Sequence, residues 1–143
     1  MDDMMQRAHH RIERCMAWVT VVGALALILY WTAYLVNPVM LVGEDPAIRA
    51  FESAFPIADG GLVVLLLTTS CSLFAHRRQG AVLLVAAGAA AIYLGLLDTT
   101  FYAGRGLYAA RSPAALVELV INALCLGGGG LAVGVGWALW RSP

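Results

Sequence analysis

Four long apolar stretches, each able to cross a bilayer as a helix, leave this chain little choice of fold. A hydrocarbon layer of about 30 Å takes about 20 helical residues at ~1.5 Å each. The stretches fall at residues 15–36, 57–75, 80–102 and 113–140. Of the 143 residues, 61% are hydrophobic and 13% charged, more apolar surface than so small a unit can hide from water. The sequence therefore predicts a single all-α integral membrane domain, an antiparallel four-transmembrane-helix bundle running up-down-up-down. Its first partner is the lipid bilayer. Nucleic acid is excluded, because the net charge is zero and such binding rests on clustered positive charge.

Orientation follows from the arginines, since Lys and Arg accumulate on the cytoplasmic side. Arg7, Arg11, Arg14, Arg77, Arg78 and Arg141 fall on one side, and Arg49, Arg105 and Arg111 on the other. This bias predicts a multi-pass plasma-membrane protein with both termini cytoplasmic. Arginines ahead of the first stretch give it the look of a secretion signal, but it is too long and lacks a small-x-small cleavage site, so it is expected to remain as a helix. Trp18, Trp137 and Trp140 then mark the inner interface, and Trp31, Tyr34, Tyr102 and Tyr108 the outer one.

In the first outer loop, Asp45 and Pro46 form a helix start. Ile48, Phe51 and Phe55 share one face, and Arg49 and Glu52 are spaced for a surface ion pair. Such a short helix suits either an anchor lying in the outer interface or a lid over the helix ends, the anchor having the better support from amphipathy.

Ionisable groups inside spans are costly and so are informative. Asp59, Asp98 and Glu118 all map to the outer end, and Asn122 lies one turn deeper than Glu118 on the same face. Counting back from Asp98 gives Gly95, Ala91 and Gly88 or Ala87. Counting on from Asn122 gives Cys125, Gly129, Ala132 and Gly136. Small-residue stripes of this kind let helices approach closely, so both acids are expected to face the bundle. Gly130 and Gly134 form a further G-x-x-x-G pair for packing. Thr68, Thr69, Ser70 and Ser72 are placed to bond to their own helix or across to a neighbour.

Two roles suit the acids. They form a structural cluster neutralised by Arg105 or Arg111, or they line an outward-facing pocket that binds or passes a cation, a proton or a small polar ligand. In the pocket reading the site comprises Asp59, Asp98, Glu118 and Asn122, with Arg105 gating or neutralising and Tyr34 and Tyr102 as aromatic walls. The alternative is a non-catalytic accessory or scaffold subunit that docks another membrane protein, or a second copy, through Gly/Ala-rich faces. A lipid-modifying enzyme ranks third, because no nucleophile accompanies the acids.

No cofactor or metal is expected. Cys15, Cys71 and Cys125 stand singly and suit core packing, and His9, His10 and His76 fall on the cytoplasmic side, away from the acids. Nor do the motifs of some four-helix membrane families occur. There is no Cys-x-x-Cys like that of quinone-linked thiol oxidoreductases, and no glutamate inside the first span like that of small multidrug transporters.

Overall fold

A computed structural model describes residues 2–38, 45–110 and 112–142 of the chain. It contains α1 (Asp2–Val36), a short α2 (Pro46–Glu52), α3 (Pro56–Phe74), α4 (Gln79–Gly104), a 3-10 turn (Leu107–Ala110) and α5 (Pro113–Arg141). No strand occurs among the described residues, and four helical segments are long and apolar enough to span a membrane. The protein is an all-α, multi-pass membrane protein.

Local chemistry fixes where the helices begin and end. Asp45 accepts a hydrogen bond from the Ala47 amide at 2.8 Å and Pro46 opens α2, so the cap and the fixed proline φ act together. Ser112 and Pro113 repeat the device at α5, with Ser112 Oγ accepting from the Ala115 amide at 3.1 Å. At the end of α3 the chain turns through a Schellman arrangement. The Arg77 amide donates to the Ser72 carbonyl at 2.9 Å and the His76 amide to Leu73 at 3.0 Å. His76 takes the left-handed position of this turn, at φ 50°, which glycine usually fills. The first helix starts at Asp2, well before residue 15, so the arginine-rich stretch ahead of the first apolar run is an extra helical segment.

The helices pack in chain order, α1 on α3, α3 on α4, and α4 most closely on α5, while α1 and α5 barely meet. Near the middle of α1, Met16 and Ala17 join Leu73, Ala81, Leu84, Ala132 and Leu139 in the main apolar core. Ser70 Oγ donates to the Ala17 carbonyl across α1 and α3 at 3.0 Å, whereas Thr68 and Thr69 bond back to Val64 and Leu65 of their own helix. Such interhelical bonds are worth about 0.6 kcal/mol on average in a membrane. Ser70→Ala is accordingly expected to lower stability by about that amount, and Thr68→Ala by less, in a detergent unfolding titration.

The α4–α5 seam runs through Gly88, Gly95, Gly129 and Gly136, where an added Cβ would meet the facing helix at under 3.0 Å. It does not use Gly130 and Gly134, which have no neighbour within 4 Å of a Cβ position. Helical phase explains the correction. Gly129 and Gly136 continue the buried line from Glu118 through Asn122 and Ala132, and Gly130 and Gly134 are turned about 100° away or more. The cysteines are also less buried than expected, since Cys15 and Cys71 are exposed and Cys125 is half-buried. On a lipid-facing helix a small thiol has no reason to be hidden.

Candidate functional site: a carboxylate cluster at the head of an apolar cavity

The last turns of α1 and α4, the first turns of α3 and α5, and the whole of α2 meet at one end of the bundle. Asp98 is brought inward by the small-residue stripe of α4, and Glu118 and Asn122 by that of α5. All three are buried, Glu118 to 2% exposure. Glu52 of α2, which the sequence places on a surface ion pair with Arg49, is buried instead. One carboxylate oxygen each from Glu52, Asp98 and Glu118 lies within 4.8 Å of the others.

Aromatic donors hold this cluster in place. Tyr30 of α1 donates its hydroxyl to Glu118 Oε1 at 3.1 Å, and Tyr102 of α4 donates to Glu52 Oε1 at 3.2 Å. Trp31 Nε1 donates to Asp59 Oδ2 at 2.8 Å, so the fourth acid lines the same cavity on its own tether. Asn122 Nδ2 donates to the Tyr108 hydroxyl at 2.9 Å. Burial pushes the Tyr108 phenol above its ordinary range, which keeps it neutral and able to accept that bond. Among the described residues Asn122 Oδ1 has no hydrogen-bond partner, although it is buried and the residue lines the cavity. A buried amide oxygen left without a donor is costly, and such exceptions point to something the site is shaped to receive.

The cluster caps a cavity of about 380 Å³. Leu27, Leu62, Leu66, Leu94 and Ile121 supply apolar walls, and the far end reaches Met16, Leu84 and Ala132 of the packed core. Val19 and Val22 on α1 and Leu124 on α5 line the same space and are about half exposed or more, at 49%, 62% and 67%. The side of the cavity between α1 and α5 is thus lined by exposed side chains, where these two helices are loosely apposed.

The covering helix α2 is pinned to α4. The Phe51 ring stacks on Phe101 at 3.7 Å between centroids, Phe55 lies edge-on to Phe51 at 4.9 Å, and Ile48 packs on Tyr102. The apolar face of α2 thus meets protein. Tyr102 and Tyr108 turn inward and do not stand in an aromatic belt; Tyr102 is 3% exposed, and Tyr34 packs on the Ile48–Tyr102 cluster.

Arg105 does not enter the cluster. Its guanidinium stacks over Phe101 at 5.0 Å, and among the described residues no arginine forms an ion pair with Glu52, Asp59, Asp98 or Glu118. Asp98 and Glu118 ride on the buried faces of α4 and α5, but Arg105 follows α4 in a turn flanked by Gly104 and Gly106, outside the helical stripe. Arg111 lies outside the described residues. His10 and His76 lie at the opposite end of the bundle, away from these acids, where they converge on Glu13 in a mixed His/carboxylate group.

Glu52 and Tyr30 were absent from the sequence-derived site, and each left only a partial signal. Glu52 follows Ile48 by four residues, on the same face of a short helix. Tyr30 stands beside Trp31, Thr32 and Tyr34, so nothing in the local pattern singles it out as the inward-facing one. In comparisons with family models, curated proteins and solved structures, the chain matches none.

Proposed function

We propose that this protein binds a cation at the Glu52/Asp98/Glu118 cluster, and that the fitting ligand is an organic cation, with its positive head among the carboxylates and its apolar body in the cavity. The observation carrying this reading is the convergence of three buried carboxylates, with no arginine partner among the described residues, at the head of an apolar space. Three carboxylates so close and so far from water need positive charge among them, from protons or from a cation. Asp98 and Glu118 hold the head, Glu52 closes over it from the lid, and Asn122 offers its unpartnered carbonyl oxygen. Asp59 supplies a further carboxylate, Tyr34 and Tyr102 wall the entrance, and Arg105 stands at its rim.

In this reading the whole chain is one antiparallel domain of the plasma membrane, with both termini cytoplasmic and the acids below the outer surface. A cavity ending on the packed core favours binding over passage, and its loosely closed side between α1 and α5 suits a ligand that first partitions into lipid. A cavity of about 380 Å³ lies within the usual range for small-molecule sites.

The test uses the full chain in nanodiscs, with decylammonium as probe and decanol as the neutral control. Decylammonium is expected to raise the melting temperature and decanol to leave it nearly unchanged. In the Asp98→Asn/Glu118→Gln double variant the response to decylammonium should vanish. Gly128→Phe fills the cavity at a position with no neighbour within 4 Å, and should weaken decylammonium while sparing methylammonium. An undiminished decylammonium response in the double variant overturns the proposal. The alternative of a scaffold docking through glycine faces is weakened because Gly88, Gly95, Gly129 and Gly136 are used within the chain.

A further inference from the structure

At the end of the bundle away from the carboxylate cluster, α1 meets the turn between α3 and α4 through three side chains. His10 and Glu13 are one turn apart on α1, and His76 lies in the turn. His10 Nδ1 is 3.1 Å from Glu13 Oε2 and 3.1 Å from His76 Nδ1, and His76 Nδ1 is 2.5 Å from the same Glu13 oxygen. His9 adds its Nε2 at 3.6 Å from Glu13 Oε1. We infer that His10, Glu13 and His76 form a binding site for a divalent first-row transition ion of the Zn²⁺ type, with His9 placed to approach as a fourth ligand.

The first argument is geometric. Two imidazole nitrogens and a carboxylate oxygen form one triangle, and ligands about 2.0–2.1 Å from a tetrahedral Zn²⁺ stand about 3.3 Å apart. Two of the three edges, both 3.1 Å, are already near that length. The third, a short Glu13–His76 hydrogen bond, lengthens when an ion takes the place of the shared proton. Without an ion, two ring nitrogens stand at hydrogen-bond distance both from each other and from one carboxylate oxygen, a convergence of three lone-pair-bearing atoms that an ion would satisfy at once. Imidazole with a single carboxylate selects Zn²⁺ and its transition-metal neighbours over Mg²⁺ and Ca²⁺, which prefer all-oxygen shells.

The second argument comes from the backbone. His76 occupies the left-handed position of the α3 turn at φ 50°, where glycine would fit without strain. A side chain kept there against the local preference suggests that the imidazole itself is required. Access is open, since His10 and His76 side chains are 45% and 39% exposed while Glu13 is held at 10%. An ion there would tie the extra helical segment of α1 to the α3–α4 turn.

The experiment takes the full chain without a histidine tag, stripped with chelator and loaded with Co²⁺ or Zn²⁺. Wild type is expected to give the visible d–d bands of a four-coordinate Co²⁺ and to melt higher with Zn²⁺, but not with Mg²⁺. Loss of a single ligand, in Glu13→Gln or His76→Gly, should weaken Zn²⁺ by a factor of about 100 or more, since even outer-shell partners are worth about 10–100-fold. His76→Gly relieves the left-handed strain while losing the Glu13 hydrogen bond, so its melting in chelator is the baseline from which its Zn²⁺ response is read, and that response should be absent. Absence of four-coordinate Co²⁺ bands in wild type overturns the inference, as does Zn²⁺ affinity in His76→Gly equal to that of wild type.

Discussion

Replacing Glu118 with glutamine is expected to make the protein more stable on its own and much poorer at holding a cation. Glu118 is 2% exposed and shares a 4.8 Å sphere with Glu52 and Asp98. Two unprotonated carboxylates at that separation would repel by on the order of 3 kcal/mol at an effective dielectric constant of about 20, a cost the unliganded cluster escapes only by holding protons. Glutamine keeps the volume and the oxygen that accepts from Tyr30, and removes the charge. Relief of crowding should therefore raise stability without ligand by about 1–3 kcal/mol, the stability–activity exchange seen where binding sites are strained. Affinity for decylammonium should fall about 100-fold, within the range for removing one partner of a buried charge pair. Unfolding of both proteins with and without the amine measures the two effects together. Wild type at a hundred times its Kd gains about 2.7 kcal/mol, and the variant gains little. A variant that is less stable than wild type without ligand, and binds equally well, would identify the carboxyls as a structural hydrogen-bond cluster.

The same residues show how far such a site can be read from sequence. Depth was legible: Asp98 and Glu118 lie at matching positions in successive spans, and the 3- and 4-residue steps of small residues correctly put both on buried faces. Partners were not. Glu52 reaches the cluster only because Phe51 stacks on Phe101 and folds α2 over the end of α4, a contact between residues 50 apart in the chain. Arg105 was the nearest positive charge in sequence, yet an aromatic face beside it offered a cation a berth with its guanidinium still in water. At the other end, His9 and His10 precede Glu13 by four and three residues, which is metal-ligand spacing on a helix. That signal is invisible if the helix is taken to begin at residue 15, and charge-rich turns ahead of a membrane span invite that reading. Periodicity inside apolar spans thus carries facing and depth, while the pairing of polar ends depends on connecting segments whose path no local pattern dictates.

Gly88→Ala and Gly129→Ala are expected to be the most damaging small substitutions in the spans, each costing about 2–3 kcal/mol. A Cβ at Gly88 would stand 2.6 Å from the Gly129 carbonyl oxygen, and a Cβ at Gly129 would stand 2.7 Å from that of Gly88. The opposing atoms are backbone on both sides, so no flexible side chain can yield, and the two helices must part. Close approach of this kind is what holds helices together where lipid removes the hydrophobic drive between them. Gly130→Ala and Gly134→Ala provide the control, because nothing lies within 4 Å of a Cβ there and alanine favours the helix. These should change stability by about 0.5 kcal/mol or less. Unfolding in mixed micelles separates the two pairs, and equal behaviour of Gly88→Ala and Gly130→Ala would refute the seam. The consequence reaches the site, because Gly95, Asp98, Asn122 and Cys125 ride on the same two faces, with a Cβ at Gly95 only 2.8 Å from that of Cys125. Parting α4 from α5 moves Asp98 away from Glu118. Gly88→Ala should therefore weaken decylammonium binding although it lies three turns from the carboxylates, and Gly130→Ala should leave binding intact.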